Sequence, residues 1–177
     1  MKIIEKWLRP KWQHPDAGIR LKAIAGDAID VATCHELAVS DPDPAVREQA
    51  INRLESIEQL LDVMRVQPAG QGAIAARLTT LLLHAPEAAI EPHLSRVLAI
   101  IGASTSLARL ASQASDPEIR VAAVALVSDP LTLRHCALED KAVEVRVHAV
   151  GRIDDEEALR EIERNAKARD KTVARLA

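Results

Sequence analysis

Cysteine and histidine stand side by side twice in the chain, as Cys34-His35 and His135-Cys136. Such pairs could contribute to a zinc site or to a thiol activated by an imidazole. A zinc site needs about four ligands at compatible spacing, and the sequence has neither a Cys-x-x-Cys nor a His-x-x-x-His motif. Both cysteines fall at apolar positions of the repeat described below. We therefore expect them in the core, with no metal and no cofactor.

A run of four acids, Asp154-Asp155-Glu156-Glu157, would suit a pair of catalytic carboxylates. The run also precedes an apolar helical pattern, and acids are electrostatically favoured at the start of a helix. Helix-start chemistry is the better account. The sequence has no Gly-rich phosphate loop, Gly-x-Ser-x-Gly motif or metalloprotease motif. We expect a protein that is not an enzyme.

The composition favours helices as the elements that position these side chains. The chain has 177 residues, of which 48% are hydrophobic, and it contains neither Phe nor Tyr. Trp7 and Trp12 are its only aromatic residues. Ala, Leu, Ile and Val must fill the core, and Ala and Leu are strong helix formers, whereas strands are enriched in aromatic residues. The predicted fold class is all-α.

A repeat runs along the chain, marked by an Ile-Arg or Val-Arg pair that ends in Arg20, Arg47, Arg120 or Arg146. The first two arginines lie 27 residues apart and the last two 26. Each unit begins with Asp-Pro, His-Pro or a similar turn, continues with an apolar stripe at helical spacing, and breaks at polar residues before a second stripe. This pattern predicts antiparallel helix pairs.

We expect one domain over residues 1–177, because adjacent helix pairs bury their apolar faces against one another. Its predicted parts are an N-terminal cap at 1–13, two repeats at 14–67, a divergent repeat region at 68–115, two repeats at 116–169, and the start of a truncated repeat at 170–177. Within the divergent region, helices are predicted near 73–84, 92–101 and 104–114. Residues 68–72 are the strongest break in the chain, and a hinge there is the alternative.

Short helix pairs that open with Asp-Pro-x-Val-Arg resemble the HEAT-like and armadillo-type helical repeats. The resemblance covers 14–67 and 116–177 well and 68–115 poorly. The ending at 168–177 is similar to a motif in large bacterial proteins that carry such repeats near the N-terminus, before helical domains of unknown function. The resemblance implies a right-handed α-solenoid that acts as a scaffold, and it implies no chemistry.

The four marker arginines are candidate binding residues. Asp16, Asp43 and Asp116 each precede a marker arginine by four residues, which is the favourable orientation for an ion pair on a helix. The structural interpretation is a clamp at each helix start. The functional interpretation is a ladder of arginines in a groove that binds an acidic partner or phosphates.

Trp7 and Trp12 are the only large anchors that the sequence offers. The open end of a helical stack needs a cover, and these two side chains could provide it. Alternatively they form an exposed binding hot spot beside Lys6, Arg9 and Lys11.

The net charge of −3 gives no global attraction to nucleic acid or to a membrane. No run reaches the ~18 apolar residues of a membrane span, and two cysteines are too few for a disulfide framework. We expect a cytoplasmic scaffold that binds a protein partner across the concave face of the stack. The alternative is a nucleic-acid-binding HEAT-like protein, such as a DNA-repair glycosylase, that uses the arginine ladder and the basic termini. A third class is an enzyme accessory that resembles the HEAT-like lyases.

The last unit begins at Asp170 and the sequence stops at Ala177, before a second helix. We expect a longer chain to continue after Ala177. Residues 170–177 are then predicted to be frayed, or packed on another molecule, with apolar surface of the 141–169 repeat exposed.

Overall fold

The structure, a computed structural model, describes residues 10–26, 29–84, 93–102, 104–166 and 170–177. Within these ranges the chain forms α-helices and two short 3-10 helices, and it forms no strand. The predicted all-α fold class is confirmed. Trp7 lies outside the described residues, as do Lys6 and Arg9.

The chain divides into two compact units, Met1–Arg77 and Leu78–Ala177, and each is described by itself. The first contains the 3-10 helices η1 (Lys11–Gln13) and η2 (Pro68–Gly70), the helices α1 (Ala17–Ala25), α2 (Val31–Ser40), α3 (Pro44–Ile51) and α4 (Ile57–Val66), and the first part of α5 (Gln71–His84). The second contains the rest of α5 and the helices α6 (Leu94–Ile101), α7 (Ser104–Gln113), α8 (Pro117–Val124), α9 (Pro130–Glu139), α10 (Val143–Val150), α11 (Glu156–Ala166) and α12 (Lys171–Leu176). One domain over 1–177 stays a prediction.

Aspartates cap the start of six of the twelve α-helices in the described ranges. Each accepts one or two backbone N–H groups of the first turn, which would otherwise lack a partner. They are Asp16 at α1, Asp30 at α2, Asp43 at α3, Asp116 at α8, Asp129 at α9 and Asp170 at α12. Proline follows the capping aspartate at α3, α8 and α9, where its missing N–H has no consequence.

The helices form two layers within each unit. In the first unit, α1 packs on α3, and α2 packs on both α3 and α4. In the second unit, α8 packs on α10, and α10 packs on α12. In the same way, α7 packs on α9, and α9 packs on α11. The two rows touch through the pairs α7–α8, α9–α10 and α11–α12. First helices therefore lie beside first helices, and second helices beside second helices.

The core is aliphatic, as the composition predicts. In α3 the predicted stripe is buried throughout, with Val46, Ala50, Ile51 and the following Leu54 at most 1% exposed. Ile119, Ala123 and Val124 of α8 and Val145, Ala149 and Val150 of α10 occupy the same positions in the second unit. Small and aliphatic side chains allow these short helices to approach closely.

The region 68–115 holds the three predicted helices, with bounds shifted by up to two residues. The predicted break at 68–72 is short, because η2 occupies Pro68–Gly70 and α5 begins directly after it at Gln71. Helix α6 ends at Gly102, whose φ of 49° lies in the left-handed region that favours glycine.

The predicted fraying of 170–177 is wrong. Residues Lys171–Leu176 form α12, which packs on α10 and α11. Val173 is only 1% exposed, and Asp170 is bound by Arg146. A buried anchor and an ion pair hold this short helix in place.

Trp12 is half-buried in η1, which packs against α1. Both interpretations of this residue, as a cover and as a binding anchor, stay predictions. No helix within the described ranges combines the length and the apolar character needed to cross a membrane.

Candidate functional site

The four marker arginines occupy the same place in their helices. Arg20, Arg47, Arg120 and Arg146 are each the fourth residue of their helix, in α1, α3, α8 and α10. Side chains on an α-helix lean toward its N-terminus. A long side chain at the fourth position therefore reaches back over the turn that precedes the helix.

Each guanidinium binds that preceding turn in the same way. Its Nη1 donates to the carbonyl oxygens of the residues six and five positions earlier. These contacts are Arg20 to His14 and Pro15 at 2.8 and 3.0 Å, Arg47 to Asp41 and Pro42 at 2.7 and 3.1 Å, Arg120 to Ala114 and Ser115 at 2.8 and 3.1 Å, and Arg146 to Asp140 and Lys141 at 2.7 and 3.2 Å.

Three of the arginines also bind the carboxylate of an aspartate that stands in the turn before the next helix pair. Arg20 donates from Nε and Nη2 to the two oxygens of Asp41, both at 2.8 Å. Arg120 binds Asp140 with the same two-pronged geometry, at 2.8 and 2.9 Å. Arg146 donates from Nε and Nη2 to a single oxygen of Asp170. Each clamp therefore joins the turn before its own helix to the turn of the following pair.

The clamped aspartates also shape their own turns. Asp41, Asp140 and Asp170 each accept, through Oδ1, the N–H of the residue two positions later. The hydrogen bond with Asp41 raises the pKa of the Arg20 guanidinium above its ordinary value. The hydrogen bonds from Arg146 lower the pKa of the Asp170 carboxyl. Both shifts favour the charged forms that the clamp needs.

The predicted ion pairs between residues four apart do not form. The side-chain oxygens of Asp16, Asp43 and Asp116 accept backbone N–H groups of the first helical turn instead. Arg20 and Arg120 instead bind aspartates 21 and 20 residues downstream, and Arg146 binds one 24 residues downstream. A signal for this was present in the sequence, because an aspartate opens the segment after three of the four marker arginines.

The clamps are mostly buried. Arg20 is 6% exposed and Arg120 is 9% exposed, so neither offers a free cation to a groove. Arg146 and Arg47 are half-buried. Arg47 keeps both carbonyl contacts, but no carboxylate among the described residues binds it.

Clefts open beside these clamps, at the turns between helix pairs. In the second unit, a cleft of about 650 Å³ lies at Arg146 and one of about 390 Å³ lies at Arg120. Both are lined by the same turn, Glu139, Asp140 and Lys141. We call them the 139–141 clefts. In the first unit, the Arg47 cleft has about 380 Å³.

The two cysteines lie in the core, as predicted. Cys34 in α2 and Cys136 in α9 are each 1% exposed. The Cys136 Sγ lies 3.5 Å from the Ala111 carbonyl oxygen. Burial raises the pKa of both thiols, which lowers the thiolate population that a nucleophile or a zinc ligand needs.

Their histidine neighbours do not assemble a metal site with them. His35 Nε2 lies 3.2 Å from Asp62 Oδ2 on α4, while Cys34 next to it faces the core. Among the described residues, no group of three or more His, Cys, Asp and Glu is placed to hold a metal ion.

The acidic run behaves as a helix start. Asp154, Asp155, Glu156 and Glu157 are all exposed, and α11 begins at Glu156. The Asp155 Oδ1 accepts the Ala158 N–H at 2.7 Å. The run therefore lies at the N-terminal end of α11, where the helix dipole stabilises negative charge.

Comparison with known proteins found no matching family model, no matching curated protein and no matching solved structure. The HEAT-like resemblance rests on the sequence pattern.

Proposed function

We propose that this chain is a non-catalytic interaction module, and that its partner is a polypeptide bound along the turns between successive helix pairs. The proposed architecture is a right-handed α-solenoid of HEAT-like antiparallel pairs, a scaffold of the armadillo type. In such arrays, each pair contacts only its neighbours and adds one increment of binding surface.

The observation that carries this proposal is the pair of 139–141 clefts. They share the residues Glu139, Asp140 and Lys141, so an extended ligand could cross from one inter-repeat turn to the next. The clefts are lined by charged side chains together with small and apolar ones such as Ala137, Ala114 and Val173. That mixture suits a peptide, which needs hydrogen-bond partners and charge complements along its length.

The state of the arginine ladder favours a polypeptide over a nucleic acid. Binding to a phosphate backbone draws on cations that are free to displace counterions. Arg20, Arg120 and Arg146 already bind carboxylates of the chain itself. The ladder thus holds the turns in place, and the surface around those turns is what a partner would contact.

Raised thiol pKa values and a capping role for the acidic run support a function without chemistry. Cys34 and Cys136 are buried and protonated near neutral pH. Asp155 is engaged at the start of α11.

A peptide array probed with the purified protein tests the proposal. Reproducible binding of a subset of peptides supports it, provided that Lys141→Glu weakens those same peptides. Lys141 is exposed and lines both 139–141 clefts, and only its carbonyl takes part in the Arg146 clamp. Lys22→Glu on α1 is the matched control, because Lys22 is also exposed and is remote in sequence from these clefts.

Binding of labelled double-stranded or single-stranded DNA or RNA, measured at 50 and 200 mM salt, is the competing outcome. Salt-sensitive nucleic-acid binding with no selected peptide would overturn the proposal.

A further inference from the structure

Among the described residues, no carboxylate binds the Nε and Nη2 groups of Arg47, which we call its fork, whereas the other three marker arginines each bind one. The Arg47 Nη1 donates to the Asp41 and Pro42 carbonyls at 2.7 and 3.1 Å, so the guanidinium is held in the same orientation as in the three filled clamps. Its Nε and Nη2 have no hydrogen-bond partner among the described residues. Those two groups are the ones that grip Asp41 in the Arg20 clamp.

The sequence explains the open fork. The acids held by the other arginines lie 21, 20 and 24 residues downstream. The corresponding positions after Arg47 are Gln67, Pro68, Ala69, Gly70 and Gln71. None of these residues carries a carboxylate. Helix η2 and the start of α5 occupy this stretch, where the other marker arginines are followed by a turn that begins with aspartate.

A cleft lies at Arg47, where no aspartate of the described chain is bound. The Arg47 cleft has about 380 Å³, and most of its lining residues are small or apolar. Besides Arg47 and Glu48, Gln67 is the one polar residue in its lining. Glu48 is the one acid in its wall, and it is exposed, so water screens it.

The filled clamps show what chemistry the fork takes. In each, the ligand is a carboxylate that also accepts the N–H two residues later in its own turn, at 2.9 Å for Asp41, 2.8 Å for Asp140 and 3.0 Å for Asp170. A guanidinium binds a carboxylate with two parallel hydrogen bonds, which gives both strength and direction.

We propose that the Arg47 fork receives an aspartate side chain from a partner polypeptide, at the head of a turn like the one that Asp41 begins. This inference rests on the proposed function and assigns a specific ligand to one cleft. The partner would supply in trans the carboxylate that the next repeat supplies elsewhere in the chain.

The test uses a synthetic peptide with the sequence of residues 41–46, Asp-Pro-Asp-Pro-Ala-Val, acetylated and amidated, and titrated by calorimetry. The comparison peptide carries asparagine in the first position. We expect the aspartate peptide to bind and the asparagine peptide to bind at least about tenfold more weakly, since charged hydrogen bonds are lost.

Variants of the protein locate the site. Arg47→Met and Arg47→Lys should each weaken the aspartate peptide by about tenfold or more, because lysine keeps the charge but has no fork. Arg65→Met is the matched control, since Arg65 is 73% exposed and pairs with Asp62 on its own helix. Circular dichroism melts of each variant establish that it is folded.

A second variant closes the site from within. Ala69→Asp places a carboxylate in the wall of the Arg47 cleft and should both raise the melting temperature and weaken the peptide, whereas Ala69→Asn should do neither. Unchanged peptide binding in Ala69→Asp would contradict the inference.

Three further outcomes overturn it. Inorganic phosphate that displaces the peptide at equal concentration indicates a general anion site. Self-association of the wild-type protein that Arg47→Met abolishes indicates a second copy as the occupant. Array peptides that depend on Lys141 but ignore Arg47 leave the proposed function standing and remove this site from it.

Discussion

The Arg20 guanidinium holds both carboxylate oxygens of Asp41, 21 residues further along the chain, at 2.8 Å each. The same guanidinium donates to the carbonyls of His14 and Pro15. One side chain therefore fixes the turn before α1 and the turn before α3. Because α1 and α3 pack directly on each other, the clamp sets the spacing of two neighbouring first helices at their N-terminal ends.

Removal of one partner from a buried clamp should be strongly destabilising. Arg120→Met leaves the Asp140 carboxylate, whose side chain is 6% exposed, without its counter-charge. We expect a loss of about 3–5 kcal/mol in the free energy of unfolding, measured by urea denaturation at neutral pH. Arg47→Met removes only the two hydrogen bonds to carbonyls and should cost about 1 kcal/mol.

The double variant Arg120→Met/Asp140→Leu is the control for this explanation. If the loss comes from an uncompensated buried charge, removal of the aspartate as well should restore part of the stability. Equal losses in Arg120→Met and Arg47→Met would show that the carboxylate contributes nothing.

The sequence predicted the helices well because local signals mark them. Aspartate caps, prolines after them, and apolar stripes are all short-range signals, and α3 and α8 begin at the proline that follows the aspartate. Cys34 was assigned to the core because the stripe of α2 extends through it. In both cases the information lies within about two helical turns.

The clamps were missed because their partners are distant in sequence. Asp16 lies at the right spacing from Arg20 for an ion pair, but its carboxylate is held by two N–H groups of its own helix start. Only the packing of α1 on α3 brings Asp41 to the guanidinium. The open Arg47 fork follows from the absence of an acidic residue at 67–71. This absence can be interpreted only after the other clamps are known.

Two glycines should respond to alanine with opposite signs. Gly102 ends α6 with a φ of 49°, which costs an L-residue about 1 kcal/mol, so Gly102→Ala should destabilise. Gly72 lies in α5, where an added Cβ would meet nothing within 4 Å. Gly72→Ala should be neutral or stabilise by up to about 1 kcal/mol. Thermal melts of both variants beside wild type measure the difference, and a shift of the same sign in both would contradict it.

The two thiols should be protected in the folded protein. Cys34 and Cys136 are each 1% exposed, and burial raises the pKa of both. We expect reaction with Ellman's reagent at pH 8 to be slow in buffer and fast in 6 M guanidinium chloride. A surface cysteine introduced as Ser40→Cys is the control for reagent quality, and rapid labelling of wild type without denaturant would contradict the burial.

The attachment of α12 should weaken in acid. Hydrogen bonds from Arg146 lower the pKa of the Asp170 carboxyl below its usual value near 3.9. A carboxyl whose pKa is lower in the folded state stabilises that state above its unfolded pKa, and this stabilisation is lost as the pH falls through the folded pKa. It should therefore be complete from about pH 5 upward and decline below about pH 4.

Asp170→Asn removes the charge at every pH, so the stability difference between wild type and variant should be large at pH 6 and should shrink toward pH 3. Other acids titrate in the same range, but they do so in both proteins and largely cancel from the difference. Asp154→Asn is the matched control, because Asp154 is exposed and accepts no hydrogen bond from the described part of the chain.

Hydrogen exchange of the α12 amides gives the local readout. Protection of these amides at pH 6 should depend on both Asp170 and Arg146. A difference between wild type and Asp170→Asn that stays constant from pH 6 to pH 3 would show that the clamp does not hold this helix through its charge.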